Sequence, residues 1–144
     1  MNLYIDTEFD SYRGQLISMA LVDEDGKHFY EVLRVRPQDC ALWVQKNVIP
    51  VLGKSWVGLH SFQRSLWEYL SAYESIHVIA DYPTDIQHFC WVLETGPGER
   101  IPTPPLTMEI RRDLHTGNSV TPHNALADAR ALREMALATP TPAA

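Results

Sequence analysis

A chain of 144 residues with 45% apolar and 21% charged side chains has room for one domain with a real core. Its net charge of −6 argues against electrostatic capture of duplex nucleic acid. It still admits an enzyme that grips one strand end through metal ions, because such a site collects carboxylates. No apolar run is long enough to cross a bilayer, and the opening MNLYID lacks a cationic region followed by an apolar stretch. A cytoplasmic protein with no membrane partner is therefore expected. Cys40 and Cys90 have apolar neighbours and read as reduced packing residues.

The stretch NLYID predicts a short buried strand, and Asp6, Glu8 and Asp10 crowd its end. Strand alternation turns Asp6 and Glu8 to one face and Thr7 to the other. Paired like charges repel unless a cation, a basic partner or water lies between them. QLISMALVD predicts a second strand, DEDG a turn and KHFYEVL a third strand, which makes an antiparallel meander. PQDCALWVQKNVIPVLG predicts a helix with Asp39 as its cap and Pro50 near its end. SFQRSLWEYLSAY predicts another, capped by Ser61, with an apolar stripe of Phe62, Leu66, Tyr69, Leu70 and Tyr73. SIHVIAD is uniformly apolar, as a central buried strand should be.

TDIQHFCWVLET predicts a helix, GPGERIPTPPL a loop, LTMEI a last strand and HNALADARALREMALA a final helix. One domain over 1–138 with a flexible tail over 139–144 follows. The order describes an α/β domain, a mixed five-stranded sheet flanked by helices, and ligands of such sheets bind at strand ends.

Asp81 ends the fourth predicted strand, Asp85 begins the next helix and Asp128 lies in the last one. If strands one and four are neighbours, Asp6, Glu8 and one of Asp81 or Asp85 converge. Oxygen-only clusters suit Mg²⁺ or Mn²⁺. Two such ions about 3.5–4 Å apart stabilise both the attacking and the leaving oxygens of a phosphoryl displacement. His123 precedes Asn124, a natural N-cap, so it sits in a mobile segment outside the helix, free to swing toward a site that Asp128 faces. An imidazole there can accept a proton from attacking water.

IDTEFD and HNALADA resemble the first and third motifs, Asp-x-Glu and His-x₄-Asp, of the DEDDh or DnaQ-like 3′–5′ exonucleases. Asp6 and Glu8 match the first, His123 and Asp128 the third. The second motif ends in an aromatic residue and an aspartate. In ADYPTDIQHF, Asp85 takes the aspartate position, Asp81 stands where the family has asparagine, and Thr84 replaces the aromatic. WVQKNVIPVL and HNALADAR resemble the RNase AS and RNase T-like exoribonucleases.

The resemblance implies a ribonuclease H-like fold and an exoribonuclease that trims single-stranded RNA from its 3′ end to nucleoside 5′-monophosphates. It implies a catalytic set of Asp6, Glu8, Asp85, His123 and Asp128. The four carboxylates would hold two Mg²⁺ or Mn²⁺ ions, and His123 would be the general base. Thr7 and Phe9 would contact substrate, and a homodimer is the implied assembly. A DNA exonuclease of proofreading or repair type is the rival within the same chemistry. A non-catalytic ribonuclease H-like binding module is the rival outside it, supported by the unusual second motif.

Other signals read as background. Trp43, Trp56, Trp67 and Trp91 are expected to be packing residues. His28, His60, His77, His88 and His115 have no metal-ligand spacing. Arg111, Arg112, Arg130 and Arg133 fit phosphate contacts or solvated helix faces equally well.

Overall fold

The computed structural model describes residues 1–141 and Ala143. Pro142 and Ala144, in the expected tail, lie outside the described residues. Strands β1 (Asn2–Phe9), β2 (Leu16–Asp23) and β3 (His28–Val32) form the meander. Strands β4 (Ile76–Ala80) and β7 (Leu106–Ile110) extend it on the other side of β1, both in parallel, to give the order β3-β2-β1-β4-β7. The chain is thus α/β, with a mixed five-stranded sheet flanked by helices.

Both faces of the sheet centre are covered, which is why β2 is buried along its whole length and reads as a continuous apolar run. On one face, helix α2 (Leu59–Leu70) and helix α3 (Pro83–Leu93) bring Phe62, Leu66 and Phe89 against Leu3, Ile5, Leu21 and Val78. On the other, helix α4 (Ala125–Ala138) lays Ala125 and Ala129 on Ala20 and Val22, and Leu132 and Ala136 on Tyr4 and Ile79. Small side chains on both partners let this helix lie close to the sheet. Asn124 caps it as expected, accepting a hydrogen bond from the Ala127 N–H at 2.9 Å.

Three local expectations change. The single helix expected over 37–53 is broken into a 3-10 turn (Pro37–Asp39), a short helix α1 (Leu42–Asn47) and a second 3-10 turn (Ile49–Val51). Pro50 has no N–H to continue a helix. The Ala41 N–H that opens α1 goes to the Asp10 carboxylate at 2.9 Å, so Asp10 rather than Asp39 anchors that helix. Ser61 lies inside α2, which begins after Gly58 and not at the serine. A small ribbon, β5 (Glu94–Gly96) and β6 (Glu99–Arg100), replaces the expected helix end at Glu94 and Thr95 and part of the loop expected after it.

Strand β1 also runs further than NLYID. It stays paired through Asp6↔Ala20 and Glu8↔Ser18, with a bulge between Glu8 and Phe9. The carboxylates are therefore held by the ladder itself, at the end where parallel β1 and β4 both terminate. No helix among the described residues is long and apolar enough to cross a membrane.

Candidate functional site

Five carboxylates meet at this strand end. Oxygens of Asp6, Glu8 and Asp128 lie within 4.8 Å of one another, and so do oxygens of Asp6, Asp81 and Asp85. Asp6 belongs to both groups. The five acids arrive from four places in the fold: Asp6 and Glu8 on β1, Asp81 just past β4, Asp85 in the first turn of α3 and Asp128 in the first turn of α4. The fold brings both Asp81 and Asp85 to Asp6, where only one of them was expected to converge.

The carboxylates are aimed by their neighbours. Thr7 donates to Asp85 Oδ1 twice, from its backbone N–H at 3.0 Å and its hydroxyl at 2.6 Å. Thr7, expected at the substrate, is buried and its hydroxyl is engaged by Asp85. Asp128 Oδ2 accepts the His123 backbone N–H at 3.1 Å, which leaves Oδ1 buried without a partner. Asp6 Oδ2 is likewise buried and unpartnered. Leaving a buried carboxylate oxygen without a donor is costly.

Protonation registers that cost. Burial, reinforced by the neighbouring carboxylates, holds Asp6 well above the usual range. Burial, then Asp128 and Asp85, pushes Glu8 up to about 8. Burial drives Asp85 to about 7 against the opposing pull of its Thr7 hydrogen bonds. Burial also raises Asp81 and Asp128. Without a counter-charge the cluster keeps protons near neutral pH; a divalent cation would displace them. The all-oxygen donor set and the two unpartnered buried oxygens fit a hard cation such as Mg²⁺ or Mn²⁺.

His123 lies outside α4, as expected, just before the Asn124 cap. Its backbone sits in the left-handed region, φ 70°, which few non-glycine residues adopt. Its N–H is held by Asp128, and its ring packs edge-on against Trp43 at 4.9 Å between centroids.

A cleft of about 980 Å³ opens beside Glu8. Phe9, Tyr12, Trp43, Tyr82 and Trp91 line it. The expectation that the tryptophans are packing residues fails: Trp43, Trp56 and Trp91 are each more than half exposed, and Trp67 is exposed as well. Guanidinium groups lie over two of the cleft tyrosines, Arg13 over Tyr12 at 5.1 Å and Arg112 over Tyr82 at 5.3 Å. Phe9 is half-buried and packs on His88 at 5.2 Å. A signal for the cleft was present in the sequence. Thr84, Gln87, His88 and Trp91 recur at i, i+3, i+4 and i+7 and form the cleft-facing side of α3, opposite the buried Asp85, Phe89 and Val92.

The loop joining β1 to β2 supplies the other wall. Ser11 and Arg13 both take positive φ, and a Cβ on Gly14 would lie 1.3 Å from the Asp10 carbonyl oxygen, so only glycine fits there. The other arginines divide by burial. Arg111 is buried and paired with Asp113, and Arg133 holds the Glu24 carbonyl, so both serve the fold. Arg112 donates to the Asp81 carbonyl at the cleft edge, and Arg130 is exposed. Cys40 is buried and Cys90 partly so; both thiols are free.

No protein-family model and no curated protein matches this chain.

Proposed function

We propose that the protein is a two-cation 3′–5′ exoribonuclease acting on single-stranded RNA. The observation that carries this reading is the pair of carboxylate groups sharing Asp6, with buried unpartnered oxygens and with one member, Glu8, lining an aromatic cleft. The mixed sheet is consistent with the ribonuclease H-like fold that the sequence motifs imply.

Asp6, Glu8 and Asp128 would hold one cation, and Asp6 with Asp85 the other. When bound, the cations supply Lewis-acid stabilisation of the attacking and leaving oxygens of an in-line phosphoryl displacement. Thr7 locks the Asp85 carboxylate, so the ligand geometry is set before substrate arrives. His123 accepts the proton of the attacking water, and the Asp128–backbone bond together with the Trp43 contact orients it. The exposed aromatic rings and the stacked guanidinium groups offer faces to unpaired bases, which fits a single strand better than a duplex.

The test is incubation of the protein with 5′-labelled single-stranded RNA, with and without Mn²⁺, resolving products by length, beside a DNA strand of the same sequence. Stepwise shortening of RNA from the 3′ end that needs Mn²⁺ supports the proposal. Preferential shortening of DNA would move the reading to a DNA exonuclease. Binding of RNA without shortening would make the protein a non-catalytic module.

A further inference from the structure

The second carboxylate group contains one acid more than the sequence motif requires. Asp81 stands where the resembling family has a neutral asparagine, yet its oxygen lies within 4.8 Å of those of Asp6 and Asp85. A cluster of acids at a strand end is by itself no site. Here it converges on Asp6, which is only 9% exposed and whose Oδ2 has no hydrogen-bond partner. Around it, Asp85 is fixed by the two Thr7 bonds, and the Asp81 backbone is fixed by Arg112 on its carbonyl.

We propose that Asp81 is a cation-holding residue and that it makes both divalent cations resident in the free protein, before any nucleic acid binds. The inference rests on the two-cation reading above. Magnesium-like ions are usually held by one or two carboxylates plus oxygens of the substrate phosphates. A position with two carboxylates therefore fills when the phosphodiester arrives. In this protein each position is bounded by three carboxylates, with Asp6 shared. Three anionic oxygens suffice to bind a divalent cation with water completing its shell. The negative charge that substrate would otherwise contribute is supplied by Asp81. Two divalent cations against five carboxylates leave the site with one net negative charge, so the second cation is retained between turnovers instead of leaving with product.

The experiment is calorimetric titration of the full chain with MnCl₂ alone, no nucleic acid present, for wild type, Asp81→Asn and Asp128→Asn. Wild type is expected to bind two Mn²⁺ per chain. Asp81→Asn should keep one site at wild-type affinity and weaken the other at least tenfold. Asp128→Asn should weaken the complementary site. Circular dichroism melts in EDTA check that each variant is folded; Asp81 is only partly buried at a strand end, and Asn keeps its shape. One Mn²⁺ per wild-type chain, or an Asp81→Asn isotherm identical to wild type, overturns the inference. The outcome is separable from the exonuclease reading. RNA shortening with a single resident Mn²⁺ sinks only the role of Asp81, whereas two resident Mn²⁺ without shortening leaves Asp81 in place and removes the activity.

Discussion

Asp23 and Asp6 are both buried carboxylates on the paired strands β2 and β1, at 3% and 9% exposure. Asp23 closes the β2–β3 turn. It accepts hydrogen bonds from the N–H groups of Asp25 and Lys27 at 3.0 and 2.8 Å and from the Tyr73 hydroxyl at 2.8 Å. Asp6 has four other carboxylates for neighbours and an oxygen with no partner. Both side chains are buried aspartates; the supply of donors differs. A carboxylate whose donors are built into the fold is part of the fold. One that is buried without them stays protonated until a counter-charge reaches it.

The sharpest break of this comparison is at Asp6. Asp6→Asn should lower RNA turnover by more than the about 10²–10⁴-fold of a single acid–base group, because Asp6 belongs to both cation positions. In EDTA near neutral pH the same variant should melt higher than wild type, since asparagine needs no proton taken up on folding to stay neutral among the other carboxylates. A lower melting temperature for Asp6→Asn in EDTA would mean that Asp6 is a structural acid like Asp23.

His123 comes next. His123→Ala should reduce turnover by about 10²–10⁴-fold and leave Mn²⁺ affinity nearly intact, because Asp128 is held by the backbone N–H, which alanine keeps. Asp128→Ala should lose both. Equal loss of Mn²⁺ binding in the two variants would make His123 a ligand or a structural clamp.

The pH dependence of stability separates the two kinds of carboxylate again. The site acids have pKa values raised on folding, Glu8 to about 8 and Asp85 to about 7. The folded state therefore binds more protons than the unfolded chain between the ordinary carboxylate range, about 4, and about pH 8. Stability of the cation-free protein should be full below that window and fall on the order of a few kcal/mol across it. Urea melts in EDTA at several pH values measure the slope. Glu8→Gln should flatten it, and saturating Mn²⁺ should abolish it by stabilising the ionised form. A flat profile in wild type would remove the like-charge strain on which the site argument depends.

The smallest effect is expected at Asp23. Asp23→Ala should cost about 1–3 kcal/mol of stability by stripping the acceptor from Tyr73 and the turn N–H groups. Turnover per folded molecule and Mn²⁺ affinity should not change. Reduced Mn²⁺ binding in this variant would erase the distinction between the two acids.

Much of this was legible from local pattern. The meander, the central strand of SIHVIAD, the start of α3 and the Asn124 cap each follow from periodicity and a cap or turn residue within a few positions. Motif spacing also singled out Asp6, Glu8, Asp85, Asp128 and His123, and the fold gathers the carboxylates among them around Asp6. Spacing left Asp81 and Asp85 as alternatives, read one long helix where the chain makes α1 between two 3-10 turns, and took exposed tryptophans for packing residues.

Those outcomes share a cause. Periodicity says which face of an element is apolar. It does not say which distant group arrives to cover it or to donate to it. Thr7 reaches Asp85 across 78 residues, and Tyr73 reaches Asp23 across 50. Asp10 opens α1 from 31 residues away. The sequence by itself determined the strands, the main helices and the inventory of acids. Only the tertiary structure decided which acids have donors and which are buried without them, because a hydrogen-bond partner far along the chain leaves no trace in local spacing.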